Sequence, residues 1–207
     1  MSLDPQSLTP LERYRLLING IVPRPIAWIT TMNAAGVVNL APFSFFNGVT
    51  ANPPVVQVCI AHRQPEKDTL ANLRANGEAV VHLVHGDCLD AMHASGAEYP
   101  ADISETEALG LPHRPAERIR GRVLLRPELA FECRLLQLIP VGDPPTHLCL
   151  LEVVLAHVAP AMAMADGLPD PQLLRAVARL GGNSYLLPDT WHLAERERAR
   201  RPPTKNR

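Results

Sequence analysis

Several features that would classify this chain at once are missing. Its four cysteines, at 59, 88, 133 and 149, are scattered over 207 residues without a C-x-x-C pair. A disulfide framework or thiolate metal site is therefore not written into it, and the apolar, strand-like surroundings of the cysteines point to buried thiols. No glycine-rich dinucleotide fingerprint follows a strand pattern and no G-x-x-x-x-G-K-[ST] occurs, so a Rossmann nucleotide domain and P-loop chemistry are both without support. A formal charge of −1 creates no field that would gather nucleic acid or an anionic membrane. There is no run of about 18 apolar residues to span a bilayer. The start, MSLDPQSLTP, lacks the basic-then-apolar pattern of a secretion signal, and the expected compartment is the cytoplasm.

What is present is enough for one well-packed unit. With 46% apolar and 20% charged residues, the chain can bury a substantial core without sign of bulk disorder. A single domain is expected over residues 1–190. Beyond it, residues 191–207 form a basic extension: six Lys or Arg stand against two Glu from 192 onward, with Pro202-Pro203 and no apolar periodicity, the composition of a solvated tail.

Secondary-structure signals are dominated by strands. Thr9, Pro10 and Gly20 frame a helix over 10–20. Strands are expected near 26–33, 37–41, 54–62, 78–85, 119–126, 129–139 and 146–158, with helices at 66–75, 87–95 and 172–180. The stretch from Tyr99 to Arg118 reads as a surface excursion with a helical turn around 105–109. Residues 146–158 are almost continuously apolar, which predicts a strand covered on both faces, the second cover coming from another subunit.

Three segments carry chemistry. In PRPIAWITT (23–31), two prolines fix the backbone around Arg24 ahead of a β-branched strand ending in Thr30 and Thr31. NLAPFSFFN (39–47) holds three of the four phenylalanines and sets Ser44 and Asn47 among them, the composition of an apolar pocket with a few placed polar groups. PEKDT (65–69) opens a helix, so Thr69 and the first amides point where an anion would sit, with Arg63 and Lys67 adding charge. Asp68 suits a helix start or the orientation of a neighbour better than an anion contact. On the residues alone, Thr30 and Thr31 could equally be ordinary strand threonines, and Arg63 and Lys67 solvated surface charges.

Further along, RLGGNSY (179–185) places Arg179 and Tyr185 on either side of Gly181-Gly182, a flexible point that permits close backbone approach; a helix C-cap followed by a core tyrosine fits the same residues. His82, His85, Cys88 and His93 invite a metal reading, but residues three apart in a strand face opposite sides, and the spacing argues against zinc.

Taken together with NPP (52–54) and FEC (131–133), these motifs resemble, in order and over roughly Tyr14 to Tyr185, the flavin reductase-like proteins, a family that includes flavoredoxins and the reductase components of two-component flavin monooxygenases. The resemblance implies a mainly β fold with flanking helices, an FMN-binding split β-barrel of antiparallel Greek-key type. It further implies an oxidoreductase that passes hydride from NAD(P)H to FMN, with a flavoredoxin-like electron carrier as the alternative. It places Thr30, Thr31, Ser44, Asn47, Arg63, Lys67, Asp68 and Thr69 around the flavin, and Arg179, Gly181, Gly182 and Tyr185 at a substrate-side or second-subunit wall. Hydride transfer at flavin N5 needs no catalytic side chain, no metal is implied, and the expected partners are a second copy of the chain and a flavin-dependent monooxygenase or other electron acceptor.

Overall fold

A computed structural model describes residues 1–190; the basic extension expected over 191–207 lies outside the described residues. The chain begins with α1 (Pro10–Gly20), whose Thr9 cap accepts from the Glu12 amide while Glu12 reaches back to the Thr9 amide. A two-residue arm, β1 (Arg24–Pro25), leads into β2 (Ala27–Met32) and β3 (Val38–Phe43). There follow β4 (Phe46–Ala51), β5 (Pro54–Ile60), α2 (Asp68–Asn76), β6 (Glu78–Leu83), α3 (Leu89–Ala94), α4 (Glu105–Ala108), β7 (His113–Pro115) and β8 (Arg122–Leu124). The long hairpin of β9 (Leu129–Val141) and β10 (Thr146–Val158) comes next, then α5 (Pro171–Leu174), β11 (Ala178–Arg179) and β12 (Tyr185–Leu186).

Seven strands make one antiparallel sheet in the order β3-β2-β6-β9-β10-β5-β4. Its outermost strands, β3 and β4, are consecutive in the chain with only Ser44 and Phe45 between them, so the sheet has to curl until its edges approach. Among the described residues no ladder joins those edges, and the barrel stays split along that seam. β6, β9 and β10 lie side by side with β5 beyond β10, a Greek-key order whose return connection carries α2.

Alternation along β2 divides the interior. Ile29 faces the barrel core with Val58, Ile60, Val81, Cys133 and Leu151. Trp28 faces the other way, packing with Leu40, Met92, Leu124 and Val177 and so holding α3 and the C-terminal segment against the barrel. The Trp28 Nε1–H donates to Ser95 Oγ at 2.8 Å, which fixes the end of α3.

Several sequence expectations are corrected. The helix expected over 172–180 ends at Leu174; Arg175 turns left-handed at φ 41°, and Ala178–Arg179 instead pairs between β1 and β12. The 119–126 strand shortens to Arg122–Leu124, while β4 and β7 form where Asn47-Gly48 and Pro115 weaken the strand signal. β10 matches its expected span, yet only one face is fully covered: Cys149 and Leu151 are buried, Leu148 and Leu150 half-buried.

No metal cluster forms among the described residues. His82 is a core residue: it donates from Nδ1 to the Trp28 carbonyl at 2.9 Å and accepts at Nε2 from the Leu124 amide at 3.0 Å. Burial lowers its pKa to about 4 and keeps it neutral. All four cysteines are free thiols, with Cys88, Cys133 and Cys149 buried. Among the described residues no helix is long and apolar enough to cross a membrane.

Candidate functional site

Two hollows meet at Pro42, Phe43, Lys67 and Gly96. The larger, about 450 Å³, falls within the range of small-molecule sites. Tyr14 and Ile18 of α1 form one side of it, Pro42, Phe43 and Ser44 its floor, and Met92 and His93 of α3 another side. Arg179, Gly182, Asn183 and Tyr185 complete the wall from the same chain. The smaller, about 70 Å³, lies at the start of α2 between Arg63, Lys67, Asp68, Thr69 and Asn39.

Arg24 ties the larger hollow together. Buried to 5% exposure, it donates to the carbonyls of Ile18 at 2.6 Å, Ile21 at 2.7 Å and Leu180 at 2.9 Å, and its Nε lies 3.4 Å from Ser44 Oγ. One guanidinium thus joins the end of α1, the Ser44 turn and the C-terminal segment. Its planar fork of donors suits this better than a lysine would. Burial pulls its pKa below the usual arginine value, and the three carbonyls compensate the desolvated charge.

At the smaller hollow the hydroxyls are held from behind. Asn39 Nδ2 donates to Thr69 Oγ1 at 2.9 Å and to Thr31 Oγ1 at 3.2 Å, and Asn72 Nδ2 donates to Thr31 at 3.0 Å. The Asp68 and Thr69 amides open α2 and have no carbonyl within the helix to bond. Burial, with the charge of Arg63 as second cause, lowers the pKa of Lys67. Arg63 pairs with Glu98 at 3.2 Å. Beneath, burial raises the pKa of Glu105 even though its Oε2 accepts from the Leu40 amide at 2.8 Å.

Of the residues singled out in the sequence, Ser44, Arg63, Lys67, Asp68, Thr69, Arg179, Gly182 and Tyr185 line the hollows. Thr30 does not: its hydroxyl donates to the Arg122 carbonyl at 2.6 Å, facing β8. Thr31 is buried one layer behind Thr69. Asn47 is exposed on β4 and accepts from the Gly48 amide. Gly181 lies against α1, where a Cβ would come within 2.0 Å of Asn19 Oδ1. Sequence reasoning missed Arg24, Asn39 and His93 as site residues. The prolines around Arg24 were a signal that its position is fixed; nothing local marks what the other two touch.

The chain matches the family model for the flavin reductase like domain over residues 19–169. It belongs to the flavin reductase-like family. Nitrilotriacetate monooxygenase component B from Bacillus cereus is 34% identical and superposes over 93% of this chain and 98% of its own, with a TM-score of 0.88. The 2-nitrobenzoate 2-nitroreductase of Pseudomonas fluorescens is 27% identical over 95% of this chain and 96% of its own, TM-score 0.86. A Shewanella frigidimarina structure with a split barrel domain is 22% identical, covers 95% and 100%, and has a TM-score of 0.83; it speaks to the fold alone. This flavin reductase-like chain is accordingly a split barrel, and its donor set fits a flavin. The larger hollow offers apolar walls with a few polar groups, and the smaller offers cations and free helix amides for an anion.

Proposed function

We propose that this chain binds FMN across the two hollows and acts as an NAD(P)H:flavin oxidoreductase, handing reduced flavin or electrons to a partner such as a flavin-dependent monooxygenase. The observation that carries the reading is the junction itself: Lys67, half-buried and lowered in pKa by that burial, stands where an apolar cleft opens onto the first turn of α2. The phosphate would take Lys67, Arg63, the Thr69 hydroxyl and the first amides of α2, a set in which every contact is charge-assisted or dipole-aligned. The ring system would lie in the larger hollow between Phe43 and Met92, with Ser44, Asn183 and Tyr185 as polar contacts. When bound, FMN supplies a two-electron hydride acceptor and donor. The chain's part is to seat it, exclude water with Ile18, Ile26 and Met92, and leave the Tyr185 side open to a second reactant. The likeness to the Bacillus cereus component B supports a monooxygenase partner.

A homodimer belongs to the same reading. α1 has no buried residue although Leu11, Tyr14 and Leu17 are all at least 48% exposed. An eleven-residue helix without tertiary cover is marginal in water. A second copy covering α1 and the half-exposed face of β10 would supply that cover while bordering the larger hollow through Tyr14 and Ile18.

The deciding experiment is the absorbance spectrum of the purified protein, before and after reconstitution with FMN, followed by anaerobic titration with NADH and NADPH. Bleaching of bound or added FMN by either nicotinamide supports the reductase. Retained FMN that neither reduces identifies a flavoredoxin-like carrier, and failure to bind FMN at all overturns the reading.

A further inference from the structure

One cluster in the larger hollow offers chemistry beyond seating a flavin. Arg179 NH1 donates to Tyr185 Oη, and the guanidinium carbon sits 4.6 Å from the centre of the Tyr185 ring. On its other side Tyr185 Oη lies 2.8 Å from His93 Nδ1, and the two rings meet edge-on at 5.8 Å. Arg179 is itself held, with Nε on the Gly182 carbonyl at 3.0 Å and NH2 on Asn183 Oδ1 at 3.1 Å.

The hydrogens in this cluster follow from the chemistry of its members. A guanidinium only donates, so Tyr185 Oη accepts from Arg179, and in the tautomer that leaves His93 Nδ1 without a hydrogen the phenol donates its own to that nitrogen. Nδ1 is then an acceptor, and neutral His93 in that tautomer carries its hydrogen on Nε2. Once His93 is protonated, Nδ1 turns donor, and the phenol hydrogen of Tyr185 is released toward the cleft. His93 is exposed and Tyr185 half-buried in the cleft wall, so the pair spans from water to the site. Among the described residues the charged groups around it are cationic: Arg179, Lys67 and Arg24 line the hollow alongside Tyr14 with no carboxylate, and on α3 itself the acid is Asp90.

We propose that Tyr185 is the proton donor of this cleft, resupplied through His93, in the reduction of an organic acceptor whose π system ends in oxygen, such as a quinone. The proposal rests on the flavin reading of the same cleft. For a para-quinone the balance is simple. One oxygen gains a hydride, supplied by the reduced cofactor, and the opposite oxygen, now anionic, takes the Tyr185 proton. Two O–H bonds form on the acceptor, while the bond that would hold the hydride on the reduced cofactor and the Tyr185 O–H bond both break. The phenolate, held by the Arg179 donor, regains a proton from Nδ1 of the His93 imidazolium, and the neutral imidazole so formed takes its next proton from solvent. Positioned proton transfer of this kind contributes about 10²- to 10⁴-fold to rate.

Two measurements test it. In flavin-free protein with ¹⁵N-labelled histidine, His93 should show a fixed Nε2–H tautomer that becomes a mixture in Tyr185→Phe; a tautomer mixture in the wild type would overturn the relay. In FMN-loaded, photoreduced protein, reoxidation is compared between a water-soluble para-quinone and ferricyanide, which takes electrons without a proton. The quinone-to-ferricyanide rate ratio, which cancels effects on flavin seating, should fall roughly a hundredfold in Tyr185→Phe. It should fall likewise in His93→Ala and recover with added imidazole. FMN binding with an unchanged ratio removes the proposal alone, whereas failure to bind FMN removes the flavin reading and the proposal with it.

Discussion

Replacing Lys67 with alanine is the sharpest test of how the two hollows divide a ligand. Lys67 is half-buried at their junction, and no acidic side chain is paired with it among the salt bridges of the described residues. A charge-assisted hydrogen bond to a phosphate is worth about 1.5–3 kcal/mol. At about 1.4 kcal/mol per decade, Lys67→Ala should weaken FMN roughly ten- to a hundredfold. Arg63 is worth less, because it already pairs with the largely exposed Glu98 at 3.2 Å, and exposed pairs contribute at most about 1 kcal/mol. The double change Arg63→Ala with Lys67→Ala should therefore cost FMN at least about tenfold, most of it from Lys67. Riboflavin, which lacks the phosphate, is the internal control and should bind the wild type and both variants almost equally.

Fluorescence-quenching titrations of the two flavins, at low and at high salt, measure this directly. Because burial and the neighbouring Arg63 already lower the Lys67 pKa, the ammonium is lost earlier than in a free lysine as pH rises. FMN affinity should fall on the alkaline side, and Lys67→Ala should flatten that fall. Equal affinity of the wild type for FMN and riboflavin would refute the phosphate assignment. Parallel losses for both flavins in the variants would show damage to the fold.

Thr30→Val should lower stability by about 1–2 kcal/mol in urea unfolding, since it leaves the Arg122 carbonyl without its donor, and should leave FMN affinity unchanged. His82 binds a proton in the unfolded chain at its ordinary pKa but in the folded chain only near 4, so its stabilising contribution is complete above about 6.5 and is lost as pH falls toward 4. Between pH 7 and 4.5 this amounts to about 2–3 kcal/mol of unfolding free energy, and His82→Gln should flatten the slope across that window. Gly182 sits at φ 58° with open space around its missing Cβ, so Gly182→Val meets backbone strain alone, about 1–2 kcal/mol. Its carbonyl holds Arg179, and flavin retention should drop more than the melting temperature does.

Local signals in the sequence were read well because their physics is local. The cap at Thr9 needs only residues three positions apart, the apolar run of β10 marks its own ends, and the start of α2 puts Lys67, Asp68 and Thr69 at one hollow. The failures involve partners far away in sequence. Arg24 bonds to Leu180, 156 residues on, and Thr30 to Arg122, 92 residues on. Nothing near either residue encodes those choices. The helix pattern over 172–180 lost to tertiary pairing: Arg179 lies opposite Arg24 and Ala178 opposite Pro25, so a weak local propensity yielded to ladder bonds with an arm that is itself pinned by Arg24.

The threonine pair shows where a stricter reading of periodicity was available. Neighbouring strand residues point to opposite faces, so Thr30 and Thr31 could never both meet one ligand. Their partners bear this out in detail: Thr30 reaches β8 on one side, and Thr31 meets Asn39 and Asn72 on the other. Thr31 nevertheless belongs to the site's construction, because the Asn39 amide it shares with Thr69 leaves the Thr69 hydroxyl hydrogen free for an acceptor in the smaller hollow. The same argument explains why the larger hollow depends on Arg24 instead of on the strand. A floor made by β3 is rigid, but its walls come from α1 and from residues 179–185, two segments with little buried core of their own. Among the described residues the buried guanidinium hydrogen-bonds to both and to the Ser44 turn of the floor, so the shape of the cleft depends on one charge held by three carbonyls.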